Sequence, residues 1–123
     1  MNITIDLPGA TVKPYVRMTQ RSKFVNPQAK EYLASKAALQ LQIKAAMMEH
    51  GYQMLPGQTP LWVCIDVTVP TSQGHRADVD NICKSLMDAC NGILWPDDRW
   101  VDDVGIKRTF GDPYVGISVG VMK

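Results

Sequence analysis

Between Leu61 and Val69 the chain alternates side-chain character without a break. Val63, Ile65, Val67 and Val69 fall on one face of an extended strand, and Trp62, Cys64, Asp66 and Thr68 fall on the other. Pro60 and Pro70 bound the run, where a residue without an N–H ends a ladder and leaves no amide unpaired. A strand of this kind has one apolar face to bury. The rest of the chain must supply partner strands and a layer to cover them.

Two segments are suited to that covering layer. Asn26-Pro27 is a helix start, with Asn as the cap and Pro at the first helical position, and Gly51 is the matching stop. Between them Leu33, Ala37, Leu41 and Met48, joined by Ile43 and Met47, predict a broad apolar face. A second helix is predicted from Val79 to Asn91, with Ile82, Leu86 and Ala89 at helical spacing and Asn91-Gly92 as its end. The opening NITIDL reads as a strand that ends at Pro8-Gly9, and KPYVRMTQRSKFV as an irregular loop or hairpin. Ile93-Leu94-Trp95 predicts a short strand and Pro96-Asp97-Asp98 a turn. Val101 to Phe110 and Tyr114 to Val121 predict two closing strands, joined by a hairpin turn at Gly111-Asp112-Pro113. The expectation is one α/β (α+β) domain over residues 1–123, a mixed sheet covered by two main helices.

Composition excludes several classes. Apolar residues make up 46% and charged ones 20% of 123 residues, the balance of a globular domain and not of a disordered or membrane chain. Asp6 and Pro8 stand too early for a secretory leader, and no apolar stretch has membrane-spanning length, so a cytoplasmic protein is expected. Cys83 and Cys90, seven apart on a helix, lie about 10 Å apart along its axis, too far for a disulfide. With Cys64 they show no CxxC spacing, and all three are expected to be buried apolar residues. The net charge of +1 conceals a division. Residues 1–36 carry six Lys/Arg against two acids, and residues 76–123 carry six against eight. A basic arm ahead of an acidic half suits a phosphate-rich partner and a cation, and it also suits ordinary surface charge.

The acidic half holds the chemistry. Asp78 and Asp80 sit two apart at the predicted start of the second helix. Lys84 follows Asp80 by four residues on the same face, and Asp88 extends the row. If the turn at Pro96 brings Asp97 or Asp98 back over the helix N-terminus, three or four carboxylates converge beside one ammonium. Such a cluster repels itself unless it is partly protonated or holds a hard cation on oxygen ligands. The helix dipole opposes a cation there by roughly 0.3–1 kcal/mol, so several carboxylates are needed. Magnesium, or manganese in its place, is the expected occupant. A metal so held can activate water and stabilise charge on a scissile phosphate. Lys84 can bind a nonbridging phosphate oxygen, with Asp80 holding its side chain.

The order Asp78-Val79-Asp80-Asn81, Lys84, Asp88-Ala89, Ile93-Leu94-Trp95, Asp97-Asp98 and Val101 resembles the RusA-type Holliday-junction resolvases, common in bacteria and their prophages. The motif spans roughly residues 76 to 107. A weaker likeness extends over Pro8-Gly9, the basic stretch after it and the long helix. The resemblance implies Asp78, Asp80 and Asp98 as catalytic metal ligands, Lys84 as the essential cation, and Asp97 as a reserve ligand. It further implies a magnesium-dependent homodimer that binds four-way DNA junctions and makes paired cuts in recombination and repair. Beside such a motif Lys13, Arg17, Arg21, Lys23 and Arg76 become candidates for phosphate contacts, with Tyr15 and Phe24 as stacking groups.

Each residue also has a plainer explanation. An Asp at a helix start is commonly a cap, and Asp80–Lys84 alone is an ordinary helix pair worth a few tenths of a kcal/mol. Asp88 can be a further ligand, a salt-bridge partner of Lys84 or a solvated group, and Asp102-Asp103 are polar strand positions. Trp62, Trp95 and Trp100 suit core or subunit contacts better than base stacking. Two rival functions share the pattern. An aspartate-nucleophile phosphatase also uses D-x-D with a later acidic pair, but wants D-x-D at the end of an apolar strand, whereas here SQGHRA precedes it. A non-catalytic protein that binds branched DNA would not need every acidic position filled.

Overall fold

The computed structural model describes residues 2–16, 26–70 and 78–122. Strand β1 (Asn2–Pro8) is followed by helix α1 (Pro27–His50), strand β2 (Leu61–Val69), helix α2 (Val79–Cys90) and strands β3 (Val101–Phe110) and β4 (Tyr114–Val121). Among the described residues the sheet has four strands in the order β1-β4-β2-β3. β4 runs antiparallel to both β1 and β2, while β2 and β3 are parallel. A parallel pair needs a crossover, and α2 lies on that connection. The expected α+β arrangement, a mixed sheet with two helices, is the one observed.

The alternation in Leu61–Val69 sets the layering. Leu61, Val63, Ile65, Val67 and Val69 are buried in the same rows as Val115, Ile117 and Val119 of β4, and Ile3, Ile5 and Leu7 of β1 are buried one strand further out. The opposite face carries Thr4, Asp6, Cys64, Asp66 and Ser118, and among the described residues no helix covers it. Cys64 is therefore exposed, against the expectation of a buried thiol, while Cys90 is buried and Cys83 half-buried.

β2 has a strand on each side, and that position corrects the turn at Gly111-Asp112-Pro113. β3 and β4 are not neighbours, so the connection passes the end of β2, where the Gly111 N–H donates to the Val69 carbonyl at 3.0 Å. The segment Ile93-Leu94-Trp95 is likewise not a strand. It forms a turn with one bridge between Asn91 and Trp95, and Leu94 and Trp95 are fully buried. These residues are apolar because they plug the core beneath the helices, and not because they pair in the sheet.

Helix α1 begins as its sequence predicts. The Asn26 side chain accepts from the Gln28 N–H at 2.9 Å, and Gly51 closes the helix at φ 68°, a left-handed conformation that glycine adopts without strain. Of the predicted inward face Ile43 and Met47 are buried, and the rest of the face differs. The buried residues are Ala29, Tyr32, Leu39, Ile43, Ala46 and Met47, whereas Leu41 is 68% and Met48 83% exposed, Ala37 is exposed and Leu33 half-buried. Apolar residues lie on more than one side of this helix, so periodicity alone cannot choose between rows. Contacts to α2 choose: Tyr32 and Lys36 reach Asp88, and Gln40 Nε2 donates to the Ala89 carbonyl at 3.4 Å. In α2, Ile82, Leu86 and Ala89 are buried as expected.

The two faces make different demands on stability. Leu86→Ala empties a fully buried site and is expected to cost about 2–5 kcal/mol. Leu41→Ala is expected to stay within about 0.5 kcal/mol. Urea denaturation of both variants measures the contrast, and equal losses would mean that the buried row of α1 is wrongly assigned.

Candidate active site

Asp78 occupies the N-cap position of α2 but makes no side-chain cap hydrogen bond. Its carboxylate is not spent on the helix amides, which removes the plainest structural explanation for an Asp at that point. Asp80 follows in the first turn, and Lys84 one turn later; all three are exposed. Among the described residues Lys84 makes no ion pair with Asp80 or Asp88, so its ammonium is not neutralised by its own helix. The segment ahead of α1 is tied to this helix by a backbone hydrogen bond from the Tyr15 N–H to the Asn81 carbonyl at 3.2 Å.

A cleft of about 570 Å³ opens along α2, lined by Tyr15, Cys83, Lys84, Met87, Asp88 and Asp98. It joins Lys84 on the helix to Asp98, which comes from the turn after it. Asp98 begins a short 3-10 turn, Asp98–Trp100, and its Oδ1 accepts a hydrogen bond from the Trp95 indole Nε1 at 2.5 Å. Trp95 is fully buried, so the core holds this carboxylate from behind. Burial raises the carboxyl of Asp98 above the usual range. The Trp95 hydrogen bond and the Lys36 ammonium oppose the shift, and the charges of Asp88 and Asp97 add to it. Asp97 faces its own turn: it accepts from the Arg99 N–H at 3.0 Å and pairs with the Arg99 side chain at 3.2 Å.

Asp88 is half-buried and is not paired with Lys84. The Tyr32 hydroxyl donates to its Oδ2 at 2.6 Å, and Lys36 Nζ stands 3.1 Å from the same oxygen. A hydrogen bond to a charged group contributes about 1.5–3 kcal/mol, against about 0.2–1 kcal/mol for an exposed ion pair, so Tyr32 is the stronger tether. The Tyr32 phenol is pushed well up, first by burial and then by the bond to Asp88. The Tyr15 ring meets Tyr32 edge to face with centroids 5.6 Å apart. Burial, with the nearby charge of Asp80, also raises the Cys83 thiol.

Lys84, Asp98 and Tyr15, all singled out from sequence, meet in this cleft. Asp78 and Asp80 stand on the first turn of α2 without lining it. Among the described residues no group of three or more His, Cys, Asp or Glu side chains is disposed to hold a metal ion. Lys13 lines a separate hollow of about 320 Å³ together with Tyr32, whose hydroxyl reaches Asp88 of the cleft. Arg17, Arg21, Lys23, Phe24 and Arg76 lie outside the described residues. Sequence reasoning did not find Tyr32, Lys36 or the Trp95 bond. A signal for the first two was present: a tyrosine and a lysine one helical turn apart, in line with the row that continues as Leu39 and Ile43.

The donors in the cleft are carboxylate oxygens, the class that magnesium prefers. That ion is commonly held by one or two carboxylates, with water and substrate phosphate completing its shell. Burial is the first cause of the upward shift of Asp98, and the charges of Asp88 and Asp97 add to it, a part that a cation would relieve. A divalent cation therefore fits the chemistry of the donor set.

The family model for endodeoxyribonuclease RusA matches residues 7–122. The chain belongs to the RusA endodeoxyribonuclease family. No curated relative matches it. Among the described residues no helix is long and apolar enough to cross a membrane.

The Asp98 shift has a consequence for stability. With the folded-state pKa above the unfolded value of about 3.9, the native state binds more protons in between, so stability falls as pH rises through that window. Asp98→Asn removes this penalty and keeps an oxygen for the Trp95 N–H. The variant is expected to melt higher than the parent at pH 7, and the difference should close as pH falls toward 3. A variant less stable than the parent at both pH values would show that burial of this charge is not a net cost.

Proposed function

We propose that this protein is a magnesium-dependent endonuclease that resolves four-way DNA junctions by paired incisions in recombination and repair, acting as a homodimer. The observation that carries this proposal is the cleft in which Lys84 meets Asp98, in a chain that belongs to an endodeoxyribonuclease family. Asp78, Asp80 and Asp98 are the proposed metal ligands, with Asp97 in reserve. Manganese is expected to substitute. An ion held by these carboxylates would supply Lewis-acid charge at the scissile phosphate and activate water for attack.

The side chains divide the remaining work. Lys84, unpaired with either neighbouring aspartate on its helix, offers its ammonium to a nonbridging phosphate oxygen and offsets the charge that builds during cleavage. Trp95 fixes Asp98, so this carboxylate need not be ordered when substrate arrives. Tyr32 and Lys36 fix Asp88 at the back of the cleft, which keeps Asp88 from neutralising Lys84. Tyr15 presents an aromatic ring at the cleft wall for a base or sugar. Lys13 lies beside it for the phosphate backbone, joined in this role by Arg17, Arg21, Lys23 and Arg76. A two-fold dimer gives two identical sites for two equivalent strands.

The test uses labelled four-way junction, duplex and single-stranded DNA with Mg²⁺, Mn²⁺ or EDTA. Junction cleavage is expected with either metal and not with EDTA. Asp80→Asn should lower the rate by about a hundredfold or more while junction binding holds or improves, because one carboxylate facing phosphate is gone. Binding without cleavage under every metal would favour a non-catalytic branched-DNA protein. Joint loss of binding and cleavage in Asp80→Asn would assign that residue a structural role.

A further inference from the structure

β3 is the outer strand beside β2, and among the described residues no strand pairs with its far edge. Ten residues of open edge invite association, and natural proteins blunt such edges with charge or bulges. β3 has both, with Asp102 and Asp103 near its start, Lys107 near its end, and a register shift against β2 at Leu61/Trp62. The order of these charges is the informative part. If two copies of β3 ran antiparallel about a two-fold axis at Gly105, Asp103 of each copy would face Lys107 of the other, and Val104 would face Ile106. Antiparallel pairing slipped by two residues loses the Asp103–Lys107 match, and parallel in-register pairing sets Asp103 against Asp103. The charges that repel other arrangements favour this one.

Two further observations agree. Gly105 sits mid-strand, where glycine costs roughly 0.5–1 kcal/mol relative to alanine. Its own chain does not require it, because it has no positive φ and a Cβ placed there would meet nothing within 4 Å. A glycine in a strand suits close approach of another backbone. Val104 is 42% exposed on the face the helices cover, an apolar side chain at the rim of the core that a second copy would shield with Ile106. Asp103 and Lys107 share the opposite face and are exposed, and Lys107 makes no ion pair with Asp66, its neighbour on β2.

We infer that the free β3 edge is the surface through which two copies of this chain associate, continuing the sheet across a two-fold axis at Gly105. This gives the homodimer proposed above a specific interface, and it rests on that proposal for the identity of the partner. Backbone hydrogen bonds supply the attraction, and the paired charges select orientation and register.

Sedimentation equilibrium on the full chain tests it, with thermal unfolding as a check that each variant is folded. Wild type is expected to be a dimer. Asp103→Lys and Lys107→Asp should each weaken self-association by about tenfold or more, since each sets like charges opposite one another twice. Mixing the two single variants should restore dimers, because every pair is again of opposite sign. A dimer indifferent to both substitutions, or no recovery on mixing, would overturn the β3 interface and leave the nuclease assignment intact. A monomeric wild type would overturn the homodimer as well, and junction cleavage measured in parallel reports on the nuclease independently.

Discussion

The hydrogen bond from Trp95 to Asp98 couples the interior of this protein to its chemistry. A buried indole N–H left without a partner costs about 1–3 kcal/mol, so a chain that places Trp95 in its core must bring an acceptor to it. Asp98, three residues on, is that acceptor. The same bond directs the carboxylate into the cleft beside α2 and holds it where burial raises its pKa. Core packing and site geometry are thus one constraint. The turn after α2 cannot relax without exposing the indole or abandoning the carboxylate.

Around this point the charges are sorted by helix. α1 supplies Tyr32 and Lys36, which occupy Asp88 and draw it to the interface between the helices. α2 supplies Lys84, which is left without an acidic partner on its own helix. Had Asp88 paired with Lys84, as spacing alone allows, the cleft would hold a satisfied ion pair and little capacity for phosphate. Because α1 claims Asp88, the cleft keeps an available ammonium along with a fixed carboxylate. Asp78, which caps no amide, and exposed Asp80 complete an acidic end to the same helix.

Much of this was legible in the sequence, for identifiable reasons. The alternation in Leu61–Val69 has one solution, a strand with a single buried face, and Asn26-Pro27 with Gly51 marks a helix by local chemistry. Motif order placed Asp98 near the second helix, but it lines a cleft with Lys84 and Asp88 and not with Asp78 and Asp80 at the helix start. Non-local competition decided the features that sequence missed. Leu94 and Trp95 are as apolar as a strand would be, yet they fill the core. Gly111-Asp112-Pro113 resembles a hairpin turn, yet β2 lies between the strands it joins. The row of α1 that faces inward is chosen by hydrogen bonds to a helix about fifty residues away, which no periodicity within α1 can reveal.

The central claim is that Asp98 and the head of α2 hold the catalytic metal, with Lys84 facing the phosphate. Anomalous diffraction from a crystal of the protein with Mn²⁺ and a four-way junction tests it most directly. A manganese peak bound by Asp98 together with Asp78 or Asp80, with Lys84 on the adjoining phosphate, is the predicted result. A junction bound for cleavage with manganese held elsewhere, and Lys84 remote from phosphate, would contradict the account.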